Sequence, residues 1–98
     1  MALSESIEYD KIEVVNSWNI QVRQATVVKE EQSDGSKIEL TRSFHRHVLQ
    51  PFVSTKDSDG KWTHTATDIS GEDASVQAIC NAAWTDAVKT AFKVAQEA

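Results

Sequence analysis

Three observations predict an α+β fold: a curled antiparallel β-sheet or small β-barrel of 4–5 strands, closed by one C-terminal α-helix. Apolar and polar residues alternate with period two across much of Ile12–Ala66. Two Asp-Gly pairs, Asp34-Gly35 and Asp59-Gly60, punctuate that stretch as hairpin loops. From Ser70 onward the apolar residues recur instead at helical spacing. The 98 residues suffice for one domain, taken as 1–98. So small a domain buries little of its surface, which makes it marginally stable or dependent on a partner subunit.

Residues 1–8 read as a flexible terminus. A short strand around Ile12, Val14 and Val15 follows, and Asn16-Ser17 ends it as a turn or bulge. In the next strand Trp18, Ile20, Val22, Thr26 and Val28 fall on one side. In the strand after Gly35, Ile38, Leu40, Phe44 and Val48 share a face. A two-residue Asp34-Gly35 turn would set Val28 opposite Thr41 and Val22 opposite His47, separating the two apolar sets. A three-residue Ser33-Asp34-Gly35 loop pairs Val28 with Leu40, Gln24 with Phe44 and Ile20 with Val48, and gives Gly35 the positive φ of a bulged turn. The three-residue loop is therefore expected.

Pro51 ends the long strand because it cannot donate to a ladder. Phe52–Lys56 and Lys61–Ala66 then flank Asp57-Ser58-Asp59-Gly60 as a second, more polar hairpin. The C-terminal helix is expected over 70–96, with Ser70 as N-cap, Asp73 completing the capping box and Ile69 stapled onto Ala74. Its apolar stripe is Val76, Ile79, Cys80, Ala83, Trp84, Ala87, Val88, Ala91 and Phe92.

Composition excludes several classes. The net charge of −5 is the opposite of a nucleic-acid binder's footprint, so no nucleic-acid partner is expected. Met1–Ser6 lacks the basic and apolar regions of a signal peptide, and no apolar run is long enough to cross a bilayer. The expectation is a protein that is not secreted and has no membrane partner. Cys80, the one cysteine, lies in the helical apolar stripe and reads as core filler. No phosphate loop, nucleophile elbow or Cys/His motif is present, so neither an enzyme nor a cofactor is expected.

The remaining candidates are polar. His45 and His47 alternate on one strand face at a spacing that can chelate a metal, with His64 and Asp68 as further ligands. A solvated strand face, shared with Thr41 and Ser43, explains the same residues. Arg42 and Arg46 fall beside Phe44 and Val48, where an arginine either snorkels to water or marks an interface. Trp62, in the polar hairpin, is a third interface candidate. Asp57, Asp59 and Gly60 echo a calcium loop, but the glycine is misplaced and the twelfth residue is Asp68, so a turn is expected.

The segments Trp18–Arg23, Arg42–Pro51, Asp68–Asp73 and Asn81–Asp86 together resemble small uncharacterised proteins of marine tailed phages and ocean metagenomes. The resemblance covers most of the chain. It implies a phage gene product, a minor virion or tail component, located in the infected host's cytoplasm or in the virion. It brings no catalytic or ligand residues with it. The function expected is a non-enzymatic structural or interaction protein that forms a homo-oligomer and contacts other virion proteins. The alternatives are a small ligand- or metal-binding module using the His45/His47 face, and an Sm-like barrel.

Overall fold

The computed structural model describes residues 2–98. It is an α+β structure with two antiparallel sheets and two C-terminal helices. Strands β1 (Leu3–Val15), β2 (Asn19–Glu31) and β3 (Lys37–Leu49) form a meander in the order β1-β2-β3. Strands β4 (Phe52–Lys56) and β5 (Trp62–Ala66) form a separate hairpin. Helices α1 (Ala74–Ala83) and α2 (Asp86–Glu97) complete the chain. The molecule is elongated, 65 × 27 × 20 Å, and its three 13-residue strands, each about 40 Å long at the usual strand rise, account for much of the long axis.

The turns follow from local chemistry. Asn16 and Ser17 both adopt positive φ, 54° and 70°, in the three-residue connection between β1 and β2. At the β2–β3 tip, Glu31 pairs with Lys37, the Gln32 amide donates to Ser36 O at 2.7 Å and the Gly35 amide to Gln32 O at 3.0 Å. Gly35 carries φ +89°, and a β-carbon there would meet nothing within 4 Å. Gly35→Ala therefore tests backbone strain alone. It is expected to lower unfolding stability by about 1–2 kcal/mol in a denaturant titration.

The loop at the tip is the longer one expected, yet most of β3 is not in the register expected with it. Lys29 pairs with Glu39 but Val28 pairs with Thr41, so Leu40 is an extra residue, a β-bulge. From there Val27 faces Arg42, Ala25 faces Phe44 and Val22 faces His47. The expected pairs Val28–Leu40, Gln24–Phe44 and Ile20–Val48 do not form. A one-residue shift exchanges the faces. Phe44 and Val48, half-exposed at 47% and 57%, accordingly lie on the side of the sheet away from Ile20 and Val22. With β4 and β5 in a sheet of their own, no barrel closes.

Residues 3–8 are part of β1 rather than a loose terminus. Leu3 to Glu8 pair with Glu30 to Ala25, and Ala2 O accepts from the Glu31 amide at 2.9 Å. Leu3 and Ile7 fall on one side of the strand and Ser4, Ser6 and Glu8 on the other, with the charged Glu5 interrupting the apolar side.

One helix was expected; two are formed. Trp84 leaves helical geometry at φ −87°, ψ 68°, and Thr85 caps α2, its Oγ1 accepting from the Val88 amide at 3.3 Å. Asp73, not Ser70, caps α1, accepting from the Ser75 amide at 3.1 Å. Asp68 instead accepts from the Ser70 amide at 2.9 Å. The break lets Trp84 turn into the core, where its indole N–H donates to Trp18 O at 2.8 Å.

The core lies under the helices. Ile20 and Val22 from β2 pack with Val76, Cys80 and Trp84, and Ile12, Trp18, Leu49, Ile69 and Val88 border them. Burial raises the Cys80 thiol's pKa, as expected for a filler rather than a nucleophile. Phe92, 1% exposed, links α2 to the sheets: its ring meets Trp18 edge-on at 5.6 Å and Phe52 at 6.1 Å.

Candidate functional site

Two surfaces of the meander differ from an ordinary solvated sheet. The first is the half of the sheet that the helices leave bare. Cross-strand pairing places Leu3, Glu30 and Ile38 in one row, Glu5, Val28 and Thr41 in the next, and Ile7, Thr26 and Ser43 in a third, all on the face that carries Ile20 and Val22 farther along. Leu3, Ile7 and Ile38 are 66%, 60% and 52% exposed. Leu40, in the bulge beside them, is half-exposed. This arm is a single layer with apolar side chains on its open face. The edge strands carry bulges, at Asp10 in β1 and at Leu40 in β3, of the kind that blunts edge-to-edge pairing.

The second surface is the opposite face, where charges concentrate. Arg23 donates to both carboxylate oxygens of Asp10, Nε at 2.9 Å and Nη2 at 2.8 Å. Arg42 reaches Glu39 at 2.8 Å and Glu8 at 3.2 Å, and stands 3.7 Å from Asp10. Asp10 stands two residues beyond Glu8 in β1, so strand alternation sets both carboxylates on this face, and the bulge there brings Lys11 opposite Arg23 as well. Arg23 also covers the Phe44 ring, 4.5 Å from its centre, with Arg46 at 5.9 Å. Beneath these long side chains the small Ala25 and Val27 are fully buried. Arg42 is thus paired with carboxylates of its own chain, whereas Arg46 has no ion-pair partner among the described residues.

The Arg23 hydrogen bonds, and then the Arg23 and Arg42 charges, hold the Asp10 carboxyl below its usual range against the opposing effect of burial. A group whose pKa is depressed on folding stabilises the native state above its unfolded pKa, and that contribution disappears as pH falls through the folded pKa. Asp10→Asn is therefore expected to destabilise at neutral pH. The gap from the parent should close as the pH drops below the carboxylate range, and shrink in high salt, in paired thermal melts.

The histidines separate. His45 and His47 do lie side by side, ring centres 5.9 Å apart. His47 Nε2, however, is 2.7 Å from Glu72 Oε1, tying the approach to α1 onto β3. His64 is elsewhere: its Nδ1 lies 2.7 Å from Ser54 Oγ and its Nε2 lies 2.9 Å from Glu97 Oε2. That chain of contacts fastens the β4–β5 hairpin to the end of α2. Among the described residues no three His, Cys, Asp or Glu side chains come together as a metal site. Asp57 Oδ1 accepts from the Asp59 and Lys61 amides at 2.9 and 2.8 Å, which makes it the turn residue expected. Trp62 is half-buried, stacked parallel to His64 at 6.1 Å with the Lys56 ammonium 5.9 Å from its ring.

No helix among the described residues is long and apolar enough to cross a membrane. Comparison with protein-family models, with curated proteins and with solved structures finds no match.

Proposed function

We propose that the chain is a non-enzymatic structural protein that self-associates through the bare arm of its meander. The observation that carries this reading is the exposure of Leu3, Ile7 and Ile38 on one face of a single-layer sheet. A sheet with an apolar face is stable when a second layer covers it. The helices cover only the Ile20–Val22 end. A second copy's arm, laid face to face, supplies the missing layer about 10 Å away, the spacing of packed sheets. Burying each of these side chains fully is worth about 1.5–3 kcal/mol before the costs of association. The resemblance to marine phage proteins suggests a virion or tail as the setting, with other virion proteins as further contacts.

The test is the solution mass of the full chain over a range of concentrations. The reading requires a mass above the 10.9 kDa of one chain that depends on the arm residues.

A further inference from the structure

On the charged face the pairing creates an arrangement that folding alone does not favour. Lys11 pairs with Arg23 across β1–β2, and Arg23 pairs with Arg46 across β2–β3. Three cations therefore stand in one cross-strand row, neighbouring strands being about 4.8 Å apart. Like charges directly opposite destabilise a sheet. The chain as a whole carries a net charge of −5, so the cluster is not a by-product of basic composition. Two members are compensated: Lys11 by Glu13 at 3.0 Å and Arg23 by Asp10 at 2.8 Å. Arg46 is not.

The row borders a groove of about 270 Å³, lined by Lys11, Glu13, Gln21, Arg23, Arg46 and Val48 among others. Arg46 offers a planar fork of donors to it, of the kind that grips carboxylate and phosphate oxygens in pairs. Lys11 adds a mobile ammonium and Gln21 an amide. Val48 supplies an apolar wall that weakens competition from water.

We propose that this groove binds a small polyvalent oxyanion, a compound bearing two or more phosphate or carboxylate groups, with Arg46 as its principal contact and Lys11 and Arg23 as flanking charges. The site is on the face opposite the arm's apolar surface and rests on no part of the self-association reading.

The experiment titrates inorganic pyrophosphate and citrate separately into the isotope-labelled full chain, with ionic strength held constant by sodium chloride. Backbone amides and the arginine Nε–H signals are followed by NMR. A saturable shift confined to the strands around Lys11, Gln21–Arg23 and Arg46–Val48 is expected with at least one of them. Pyrophosphate alone would identify a phosphate ligand, citrate alone a carboxylate ligand, and both a general oxyanion site. R46Q is expected to weaken binding at least tenfold, and R42Q to change it less than about twofold. E13Q, which removes the one carboxylate lining the groove, is expected to tighten it severalfold, an effect that a purely structural role for the row would not produce. In buffer without pyrophosphate or citrate, R46Q should melt no lower than the parent, since it relieves like-charge opposition. Failure of both anions to give a saturable shift, or binding unchanged in R46Q, overturns the proposal.

Discussion

Phe92→Ala is expected to lower the unfolding free energy by about 3–5 kcal/mol, a large part of what a domain of this size possesses. Phe92 is 1% exposed and is the point where three separate elements meet. Its ring touches Trp18 in the β1–β2 connection and Phe52 at the start of β4, while α2 carries its backbone. Truncation leaves a cavity between the long meander and the short hairpin, which have no ladder in common. Side-chain packing, the His64–Glu97 contact and the chain connection at Pro51 are then what hold the hairpin in place. Val94→Ala, on the same helix but 65% exposed, is expected to cost less than about 0.5 kcal/mol. Denaturant titrations followed by tryptophan fluorescence measure both. Equal costs at the two positions would contradict the core described here.

The second large effect concerns association. Ile7→Lys and Ile38→Lys are each expected to weaken self-association by about ten- to thirtyfold, about 1.4–2 kcal/mol. Ile7 and Ile38 sit on the two edge strands, two rows apart on the same open face, so together they sample its width. Each is more than half exposed in the single chain, and a charge there is solvated in the monomer but loses its water in a face-to-face pair. Monomer folding should therefore change by no more than about 0.5 kcal/mol, which separates loss of partner from loss of fold. Val94→Lys is the control. It places the same charge on an equally exposed apolar residue of α2 and is expected to leave association unchanged.

Much of this architecture is legible in the sequence, and the parts that are not share a cause. Alternation and turn chemistry reveal the long strands, the three-residue connection around Gly35 and the Asp57–Gly60 hairpin, because each depends on residues close in the chain. The Leu40 bulge is different. Nothing at Leu40 marks it, yet it moves Phe44 and Val48 to the far face, and it alone brings Arg46 opposite Arg23. A register that pairs Val48 with Ile20 would set His45, not Arg46, opposite Arg23 and contain no Lys11–Arg23–Arg46 row. His47 facing Val22, by contrast, belongs to the register that a shorter turn would have given, so the body of the sheet follows one pattern and its tip another.

Two features outside the expected elements carry a local signal. Thr85-Asp86 is a helix start, a capping residue followed by an acid, lying within what the apolar stripe reads as one continuous helix. Leu3 and Ile7 stand on one side of residues 3–8 with Ser4, Ser6 and Glu8 on the other, a partial strand signal that Glu5 interrupts. The Ser54–His64 pair follows from the second hairpin's register, but Glu97 as its third member depends on how α2 docks, which no local pattern encodes.

The most direct test of self-association through the arm is light scattering of the full chain over a wide concentration range, beside the Ile7→Lys and Ile38→Lys variants. The account predicts a mass that rises from 10.9 kDa to a defined multiple for the parent chain, with both variants shifted to higher concentration. A parent that stays at the mass of one chain throughout, or an oligomer indifferent to both lysines, would contradict it.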